Sequence, residues 1–256
     1  MHNIKKGNIH KSHKSHNTHN THNSHNNTPK SDDVAGKSSK MFECNVQNNI
    51  YNKKDLAINN KNTIIFIDWD DTLFPTSWIM EKNVDLINPL SRLKYSDFFK
   101  RLDDELSEAL KTMISLGEVV IITNALTEWV QLSLSILPKT KKVMKHISVV
   151  SARQRYQNKA DMTEWKKHTF LEELEMRSKN KYYANILSLG DADYEYNALL
   201  NLYDKVTLAP HKYLKSIRFI KRADYKILLE QLSLIKNHIT DVINLKRHVD
   251  LMFSIN

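Results

Sequence analysis

From residue 62 onward, short apolar runs alternate with longer segments in which apolar residues recur every three or four positions. Short runs rich in β-branched side chains are typical of buried strands, and the longer periodic segments are typical of amphipathic helices. The runs predict strands at residues 63–67, 118–122, 147–150, 186–189 and 206–209, and an edge strand at 216–220. The periodic segments predict helices at 97–116, 127–137 and 163–178, then a closing helix around 227–235 and a further segment to about residue 253.

The alternation of strands and helices predicts an α/β fold with a parallel sheet, because parallel neighbours need a crossover connection between them. Gly117 and Pro138 follow the first two predicted helices and mark their ends. After residue 40 the chain contains only Gly117 and Gly190, both at strand junctions. A glycine-rich loop that cradles phosphates or a dinucleotide is therefore excluded.

Residues 1–40 differ in composition from the rest of the chain. Histidine recurs at every third position from His10 to His25, among Asn, Thr, Ser and Lys. Such a segment cannot bury enough apolar surface to offset its ordering entropy, so we predict a disordered tail at 1–40, a lead-in at 41–61 and a folded domain at 62–256. A His-rich tract can bind divalent metal, but a period of three places no two imidazoles on a stable scaffold, which favours an inert tail.

The net charge of +9 is concentrated in this tail. Residues 1–40 carry seven Lys and two Asp, a net +5, which leaves +4 for the remainder. Together with the basic segment 211–226, the tail suggests a nucleic-acid-binding protein as one alternative. Basic charge gives only non-specific, salt-sensitive affinity, and the chain has no zinc-finger, helix-turn-helix or RNP-type signature. A specific nucleic-acid partner is therefore not expected.

Several other classes are excluded by what the sequence lacks. No uninterrupted apolar run approaches 18 residues, and the N-terminal sequence MHNIKKGNIH has no apolar signal region. The single cysteine, Cys44, excludes an intramolecular disulfide and a cysteine-based zinc cluster. We therefore expect no membrane partner and an intracellular location, cytoplasmic or nuclear.

Acidic residues follow two of the predicted strands, at the sheet edge where parallel sheets bind ligands. Asp68 and Asp70 follow the first strand, and Asp191 and Glu195 follow the fourth. Carboxylates brought together repel one another unless a cation or proton intervenes, and oxygen ligands select a hard ion such as Mg²⁺. The acids therefore predict a magnesium site and phosphoryl transfer.

Four segments resemble the motifs of the haloacid dehalogenase-like (HAD) phosphatase superfamily, in the family's order. They are IIFIDWDDTLF, IITNA, Trp165-Lys166 at a helix start, and LGDADYE. The strings DWDDTLFPTSW and SARxxY also resemble an uncharacterised group of eukaryotic HAD-like proteins. The resemblance covers roughly residues 62–196 and implies the HAD core, a Rossmann-like doubly wound parallel sheet.

The resemblance also implies a role for each matched residue. Asp68 would be the nucleophile that forms an aspartyl-phosphate, and Asp70 would protonate the leaving oxygen and then activate water. The phosphoryl group would be bound by Thr123, Asn124 and Lys166. The Mg²⁺ cofactor would be held by Asp68, the backbone carbonyl of Asp70, Asp191 and Glu195.

Two of these assignments have neighbours that compete with them. Lys167 and Lys159 also lie between the second and fourth motifs and are alternatives to Lys166. Asp193 competes with Glu195, although a four-residue spacing puts Glu195 on the same face as the first acid of that motif if a helix begins there.

Other residues near the strand ends have weaker assignments. Arg153 follows the third strand and is a candidate for contact with a substrate anion. Three tryptophans suit either pocket walls or the core, where such aromatics more often lie: Trp69, Trp78 and Trp129.

The connections between motifs leave room for a minimal cap domain or none. Residues 73–96 contain Pro75 and Pro89 and are long enough for a flap but not for a domain. In the HAD superfamily a small or absent cap suits an open site and large phosphoesters. The sequence therefore predicts a Mg²⁺-dependent phosphatase that hydrolyses phosphomonoesters on a phosphorylated protein or small molecule. A catalytically inactive HAD-fold binding module is the main alternative, and the intact pair Asp68 and Asp70 argues against it.

Overall fold

A computed structural model describes residues 39–44, 57–205 and 212–255. The strand predicted at 206–209 and nearly all of the predicted tail lie outside these residues. The strands are β1 (Ser39–Cys44), β2 (Thr63–Ile67), β3 (Glu118–Thr123), β4 (Ser148–Ser151), β5 (Asn185–Gly190), β6 (Tyr213–Arg218) and β7 (Val249–Ile255). The helices are α1 (Thr76–Glu81), α2 (Pro89–Leu93), α3 (Ser96–Leu116), α4 (Thr127–Leu134), α5 (Pro138–Val143), α6 (Ala152–Tyr156), α7 (Met162–Arg177), α8 (Asp193–Asn201) and α9 (Tyr225–Asn244), with a 3-10 turn at Met144–His146.

The strands form one sheet in the order β1-β7-β6-β5-β2-β3-β4. Strands β2 to β7 are parallel, and β1 pairs with β7 in the antiparallel direction. Counted from β2, the parallel strands have the order 3-2-1-4-5-6, which is that of a Rossmann-like doubly wound sheet. The predicted α/β fold is therefore confirmed. The chain runs outward from β2 to β4 and then returns to β5 beside β2, so the topological switch point lies at the carboxyl ends of β2 and β5.

Both faces of the central strand are buried. Ile65 and Ile67 pack in a cluster with α3 and α9 on one face, and Ile64 and Phe66 pack with α7 and α8 on the other. A strand buried on both faces cannot alternate apolar with polar residues, which explains the unbroken apolar run of β2.

Two predicted elements differ from the structure. The segment predicted as an edge strand at 216–220 is β6, an interior strand between β5 and β7. Lys215 and Ser216 interrupt its apolar pattern although both are buried, so the pattern does not reveal an interior strand. The helix predicted at 127–137 ends at Leu134, and Pro138 begins α5, because proline suits the first turn of a helix.

The insertion after β2 is a flap and not a domain. It contains only α1 and α2, of six and five residues, before α3 begins. The described residues from Ser39 onward belong to a single compact unit. None of the helices that the structure describes is long and apolar enough to cross a membrane.

Candidate active site

The chain leaves strand geometry directly after Asp68. The Asp68 N–H donates a hydrogen bond to the Leu189 carbonyl of β5 at 2.9 Å, and the N–H groups of Leu73 and Phe74 both donate to the Trp69 carbonyl at 2.9 Å. This tight turn follows the carboxyl end of β2. It places Asp68 and Asp70 at the switch point, with their carboxylates close enough that the Asp70 charge helps to raise the pKa of Asp68.

Asp71 stabilises the same turn. Its φ of 54° lies in the left-handed region, which costs energy for a residue with a side chain but is more accessible to Asp than to most. Its carboxylate accepts hydrogen bonds from the Ser77 N–H, at 2.8 Å, and from the Ser77 hydroxyl. These bonds connect the turn to the first turn of α1, so the flap is fixed directly to the segment that carries the two aspartates.

Lys166 connects α7 to the switch point. Its Nζ lies 2.7 Å from Asp68 Oδ1 and also contacts Glu195 Oε1. The Lys166 side chain is 2% exposed, so this ammonium neutralises two carboxylates out of contact with water. Lys167 instead pairs with Glu164 on the helix surface, and Lys159 is exposed. Of the three lysines considered from the sequence, the structure thus brings Lys166 to Asp68.

The protonation of these groups is strongly shifted. Burial raises the pKa of Asp68 well above its ordinary value; the Lys166 ammonium opposes this rise, and the Glu195 and Asp70 carboxylates add to it. Burial alone would lower the pKa of Lys166, but the Asp68 and Glu195 carboxylates outweigh it and raise that pKa. Lys166 is therefore a permanent cation, and its charge favours the ionised form of Asp68.

Asp70 points toward β3 and the flap rather than toward Lys166. Its Oδ2 accepts a hydrogen bond from the Thr123 hydroxyl at 3.0 Å. Its Oδ1 accepts one from the Trp129 indole at 2.8 Å and one from the Thr76 hydroxyl at 2.5 Å. The two aspartates of the first motif therefore have separate surroundings, one electrostatic and one made of neutral hydrogen-bond donors.

Thr123 and Asn124 follow β3 and differ in their contacts. The Thr123 hydroxyl is fully buried and accepts a hydrogen bond from the Ala125 N–H at 2.9 Å while it donates to Asp70. The Ser151 hydroxyl of β4 donates to the Ala125 carbonyl at 2.6 Å and so stabilises this turn. Asn124 Oδ1 is buried and has no hydrogen-bond partner among the described residues.

Glu195 lies in the first turn of α8. Its Oε2 accepts a hydrogen bond from the Ala192 N–H at 3.2 Å, in addition to the contact of Oε1 with Lys166. Gly190 makes this possible, since a Cβ atom there would lie less than 3.0 Å from the Glu195 side chain. Asp193, the competing acid, is exposed and pairs with Lys221 at 2.9 Å. The structure thus directs Glu195, not Asp193, toward the site.

Asp191 lies beside this group, and no lysine, arginine or histidine among the described residues forms an ion pair with it. Burial raises its pKa to about 7, and the Glu195 and Asp71 carboxylates contribute to the rise, against a smaller opposing effect of Lys166. Its ionised form is therefore costly unless positive charge is added nearby.

The side chains fit a divalent cation in donor type and charge. Lys166 is the one ammonium in ion-pair contact with the carboxylates at this edge in the part of the chain described. The carboxylates are those of Asp68, Asp70, Asp71, Asp191 and Glu195. Their oxygen atoms are the donors that Mg²⁺ prefers. Among the described residues, no three His, Cys, Asp or Glu side chains converge in a preformed metal site, because Lys166 lies between Asp68 and Glu195.

The remaining candidates divide between core and surface. Trp69 and Trp78 are core residues, and Arg153 is exposed at the start of α6. The sequence did not indicate a role for Thr76, and it indicated for Trp129 only a place in a pocket wall or in the core. Both side chains contact Asp70, and the one available signal was the position of Thr76 in the string DWDDTLFPTSW.

Comparisons of the chain with protein-family models, with curated proteins and with solved structures found no match.

Proposed function

We propose that this protein is a Mg²⁺-dependent phosphatase of the HAD type that hydrolyses phosphomonoesters through an aspartyl-phosphate. One observation carries the proposal. A buried aspartate at the switch point, Asp68, forms an ion pair with a buried lysine, Lys166, while a second aspartate two residues later is held apart by hydrogen-bond donors. A fold that needs only stability gains little from such a buried ion pair, because desolvation offsets the attraction.

Asp68 is the nucleophile in this proposal. Lys166 contacts its Oδ1, which leaves Oδ2 to attack phosphorus. The ammonium opposes the rise in the pKa of Asp68 that burial causes, and so it favours the ionised carboxylate, which is the form that attacks. When the phosphoryl group arrives, the same ammonium lies close enough to neutralise its oxygen atoms. Positioning and charge neutralisation of this kind carry most of the catalysis in phosphoryl transfer.

Asp70 exchanges the protons in this scheme. It gives a proton to the leaving oxygen as the aspartyl-phosphate forms, and it takes a proton from the water that hydrolyses this intermediate. Thr123, beside it at the end of β3, donates to Asp70 in the free protein and would redirect its hydroxyl hydrogen to the phosphoryl group when substrate binds, with Asn124 next in the chain. In this proposal the side-chain NH2 of Asn124 donates to a phosphoryl oxygen, because its Oδ1 can only accept.

The proposed cofactor is Mg²⁺, held by Asp68, Asp191 and the backbone carbonyl of Asp70, with Glu195 in support through Lys166. When bound, it supplies positive charge for the phosphoryl oxygens and for the carboxylates that lack a cation. The raised pKa of Asp191, about 7, is the observation that favours an added cation here.

The flap favours large substrates. Its two short helices are the only insertion between β2 and α3, and neither forms a separate cap over the switch point. An open site accepts a phosphate carried on a protein surface as readily as a free phosphometabolite. We therefore propose phosphoproteins or other large phosphoesters as the substrate class.

A phosphatase assay with a panel of phosphometabolites and phosphopeptides tests the proposal. A generic aryl phosphate should be hydrolysed with Mg²⁺, EDTA should abolish turnover, and excess Mg²⁺ should restore it. Turnover that survives exhaustive chelation would contradict the metal assignment. Absence of turnover on the whole panel, with substrate still bound, would favour an inactive binding module.

A further inference from the structure

The carboxylate of Asp70 is held by three hydrogen-bond donors from three different elements. Thr123 at the end of β3 reaches Oδ2 at 3.0 Å, whereas Trp129 of α4 and Thr76 of α1 reach Oδ1 at 2.8 and 2.5 Å. The first of these is a matched motif residue. The other two lie outside the four matched motifs, and Thr76 belongs only to the longer string DWDDTLFPTSW, yet they make the two shorter hydrogen bonds.

The direction of each hydrogen bond follows from its other partners. An indole nitrogen can only donate, so Trp129 donates to Asp70. Its N–H also lies 3.2 Å from the Thr76 hydroxyl oxygen, which leaves the Thr76 hydrogen directed at Asp70. The Thr123 hydroxyl accepts from the Ala125 N–H at 2.9 Å, so its hydrogen is likewise directed at Asp70.

The two oxygen atoms of Asp70 are therefore not equivalent. A carboxylate oxygen has two lone pairs. Oδ1 accepts from Trp129 and Thr76 and has both lone pairs engaged, whereas Oδ2 accepts from Thr123 alone among the described residues, which leaves it one open lone pair. A proton can be added to Oδ2 without breaking a hydrogen bond, while addition to Oδ1 would displace a donor.

Trp129 is itself fixed in place. The Ser133 hydroxyl donates to the Trp129 carbonyl at 2.6 Å, and the Trp69 indole donates to the Ser133 hydroxyl oxygen at 3.1 Å. The rings of Phe74 and Trp129 pack edge to face, with their centroids 6.0 Å apart. The turn that carries Asp70 thus contacts the same helix turn that supplies its donor, so the orientation of Asp70 is set before substrate binds.

We infer that Trp129 and Thr76 are positioning residues that orient Asp70 so that its Oδ2 atom exchanges protons with the leaving group and with water. The inference rests on the proposed function. In the first step the Asp70 proton passes from Oδ2 to the leaving oxygen as the Asp68–phosphorus bond forms and the ester bond breaks. In the second step Oδ2 takes a proton from water as the water oxygen attacks phosphorus and the Asp68–phosphorus bond breaks.

The test is the dependence of kcat/KM on the leaving group. An alkyl phosphate needs a proton on its leaving oxygen, whereas 2,4-dinitrophenyl phosphate needs almost none. Replacing Trp129 by Phe or Thr76 by Val should lower kcat/KM for the alkyl ester by about 10- to 100-fold, but for the dinitrophenyl ester by less than about threefold. Both variants should also lower kcat for the dinitrophenyl ester, because its second step needs the base. Thr76→Ser keeps the hydroxyl and should restore wild-type values.

Thr140→Val is the matched control. Thr140 of α5 is fully buried, and its hydroxyl donates to the Asp103 carbonyl of α3 at 3.3 Å. The same Thr-to-Val change is therefore made at a buried hydroxyl that does not contact Asp70. This variant should leave both substrates unaffected.

Each outcome decides between the claims. If Trp129→Phe and Thr76→Val lower kcat/KM equally for both esters, these residues only support packing, and the inference would be wrong. It would also be wrong if neither variant affected either ester. Absence of hydrolysis by the wild-type protein itself would instead contradict the proposed function. If Trp129→Phe fails to fold, Thr76→Val and Thr76→Ser still give the comparison.

Discussion

Lys166 Nζ lies 2.7 Å from Asp68 Oδ1, and both side chains are almost completely excluded from water. The lysine comes from α7 and the aspartate from the end of β2, so this ion pair joins a helix on one face of the sheet to the carboxyl edge. Glu195 shares the same ammonium. The proposed mechanism therefore couples stability to catalysis at this point, because the cation proposed to assist Asp68 also offsets the burial of two acids.

Replacing Lys166 by Met should destabilise the protein by about 3–5 kcal/mol near neutral pH, because two buried carboxylates lose their cation. The pKa of Asp68, which burial already raises in the folded protein, would then lose the ammonium that opposes this rise. A group of that kind contributes stability at low pH and loses it as the pH rises. The loss should therefore be larger at pH 8 than at pH 5, as measured by urea unfolding.

Lys167→Met is the control for this change, because Lys167 is partly exposed and pairs only with Glu164 across one helix turn. Its effect should stay below about 1 kcal/mol at both pH values. A loss in Lys166→Met that does not depend on pH would contradict the electrostatic account.

Gly190→Ala should damage the site through Glu195. The added Cβ would overlap the Glu195 side chain and push it away from Lys166. We expect a loss of stability of about 1–3 kcal/mol together with a loss of turnover. The measurements are the thermal midpoint and the rate with an aryl phosphate.

Gly117→Ala provides a matched comparison at the opposite edge of the sheet. A Cβ there would meet Thr63, with its Cγ2 and carbonyl oxygen both 2.8 Å away, so a similar loss of stability is expected. Turnover at a temperature where the variant is folded should stay at the wild-type rate. If both glycine variants lose turnover equally, the link from Gly190 to the site through Glu195 is wrong.

The convergence of these acids at one edge of the sheet could be predicted from the sequence because strand ends and acids are both local signals. Asp68, Asp70 and Asp191 follow apolar runs, and parallel strands bring such ends to one edge. The partners of Asp70 could not be predicted, since Trp129 reaches it only after β3 and α4 have packed against the turn. Thr76 is near in sequence, but its contact depends on the left-handed residue Asp71 that redirects the chain.

The fold could be predicted where burial and hydrophobicity agree. The buried lengths of β2 and β3 are largely apolar, and the sequence pattern predicts both strands. For β6 the pattern indicates only an edge strand because Lys215 interrupts it, although this lysine is wholly buried and donates to the Ile243 carbonyl at 2.5 Å. A charged residue that is buried by its strand neighbours has no signature in a single sequence.

Lys215 makes stability depend on pH. Burial lowers its pKa to about 7, below its ordinary value, and no described acid pairs with it. The unfolded chain therefore binds a proton that the folded protein lacks between about pH 7 and pH 10, so stability from this group rises with pH across that window, by at most ~1.4 kcal/mol per unit. In urea unfolding, the free energy of unfolding of the wild type should increase relative to that of Lys215→Met between pH 7 and pH 9.5. A difference between the two proteins that is constant over this window would contradict the prediction.

Deleting residues 1–36 should leave turnover of a small aryl phosphate and the thermal midpoint almost unchanged, because that segment has few apolar side chains with which to pack. Deleting residues 1–44 should lower the midpoint, since β1 pairs with β7 from Ser39 to Cys44 and its loss leaves the edge of β7 without its partner. Comparing the two deletions by thermal unfolding locates the start of the folded domain. A large effect of the shorter deletion would mean that the histidine tract contacts the fold.

The two aspartates of the turn should have separable roles. Asp68→Asn removes the nucleophile, so no aspartyl-phosphate can form and turnover should vanish. Asp70→Asn leaves the nucleophile and removes the proton donor and base. With an activated aryl ester, which needs little protonation, this variant should still become phosphorylated but should hydrolyse the intermediate slowly, by a factor of about 10²–10⁴. Rapid acid quenching followed by mass spectrometry should find the added phosphate in Asp70→Asn and not in Asp68→Asn.

Folding is not expected to confuse this comparison. Both substitutions are nearly isosteric and remove one negative charge from a cluster of carboxylates, so each relieves repulsion. Asp68→Asn also loses the charge that Lys166 faces, which Glu195 still supplies in part. Wild-type turnover in Asp68→Asn, or a phosphate label on any other residue, would show that the carboxylate beside Lys166 is not the nucleophile. A label in Asp70→Asn that decays at the wild-type rate would show instead that water is activated by another group.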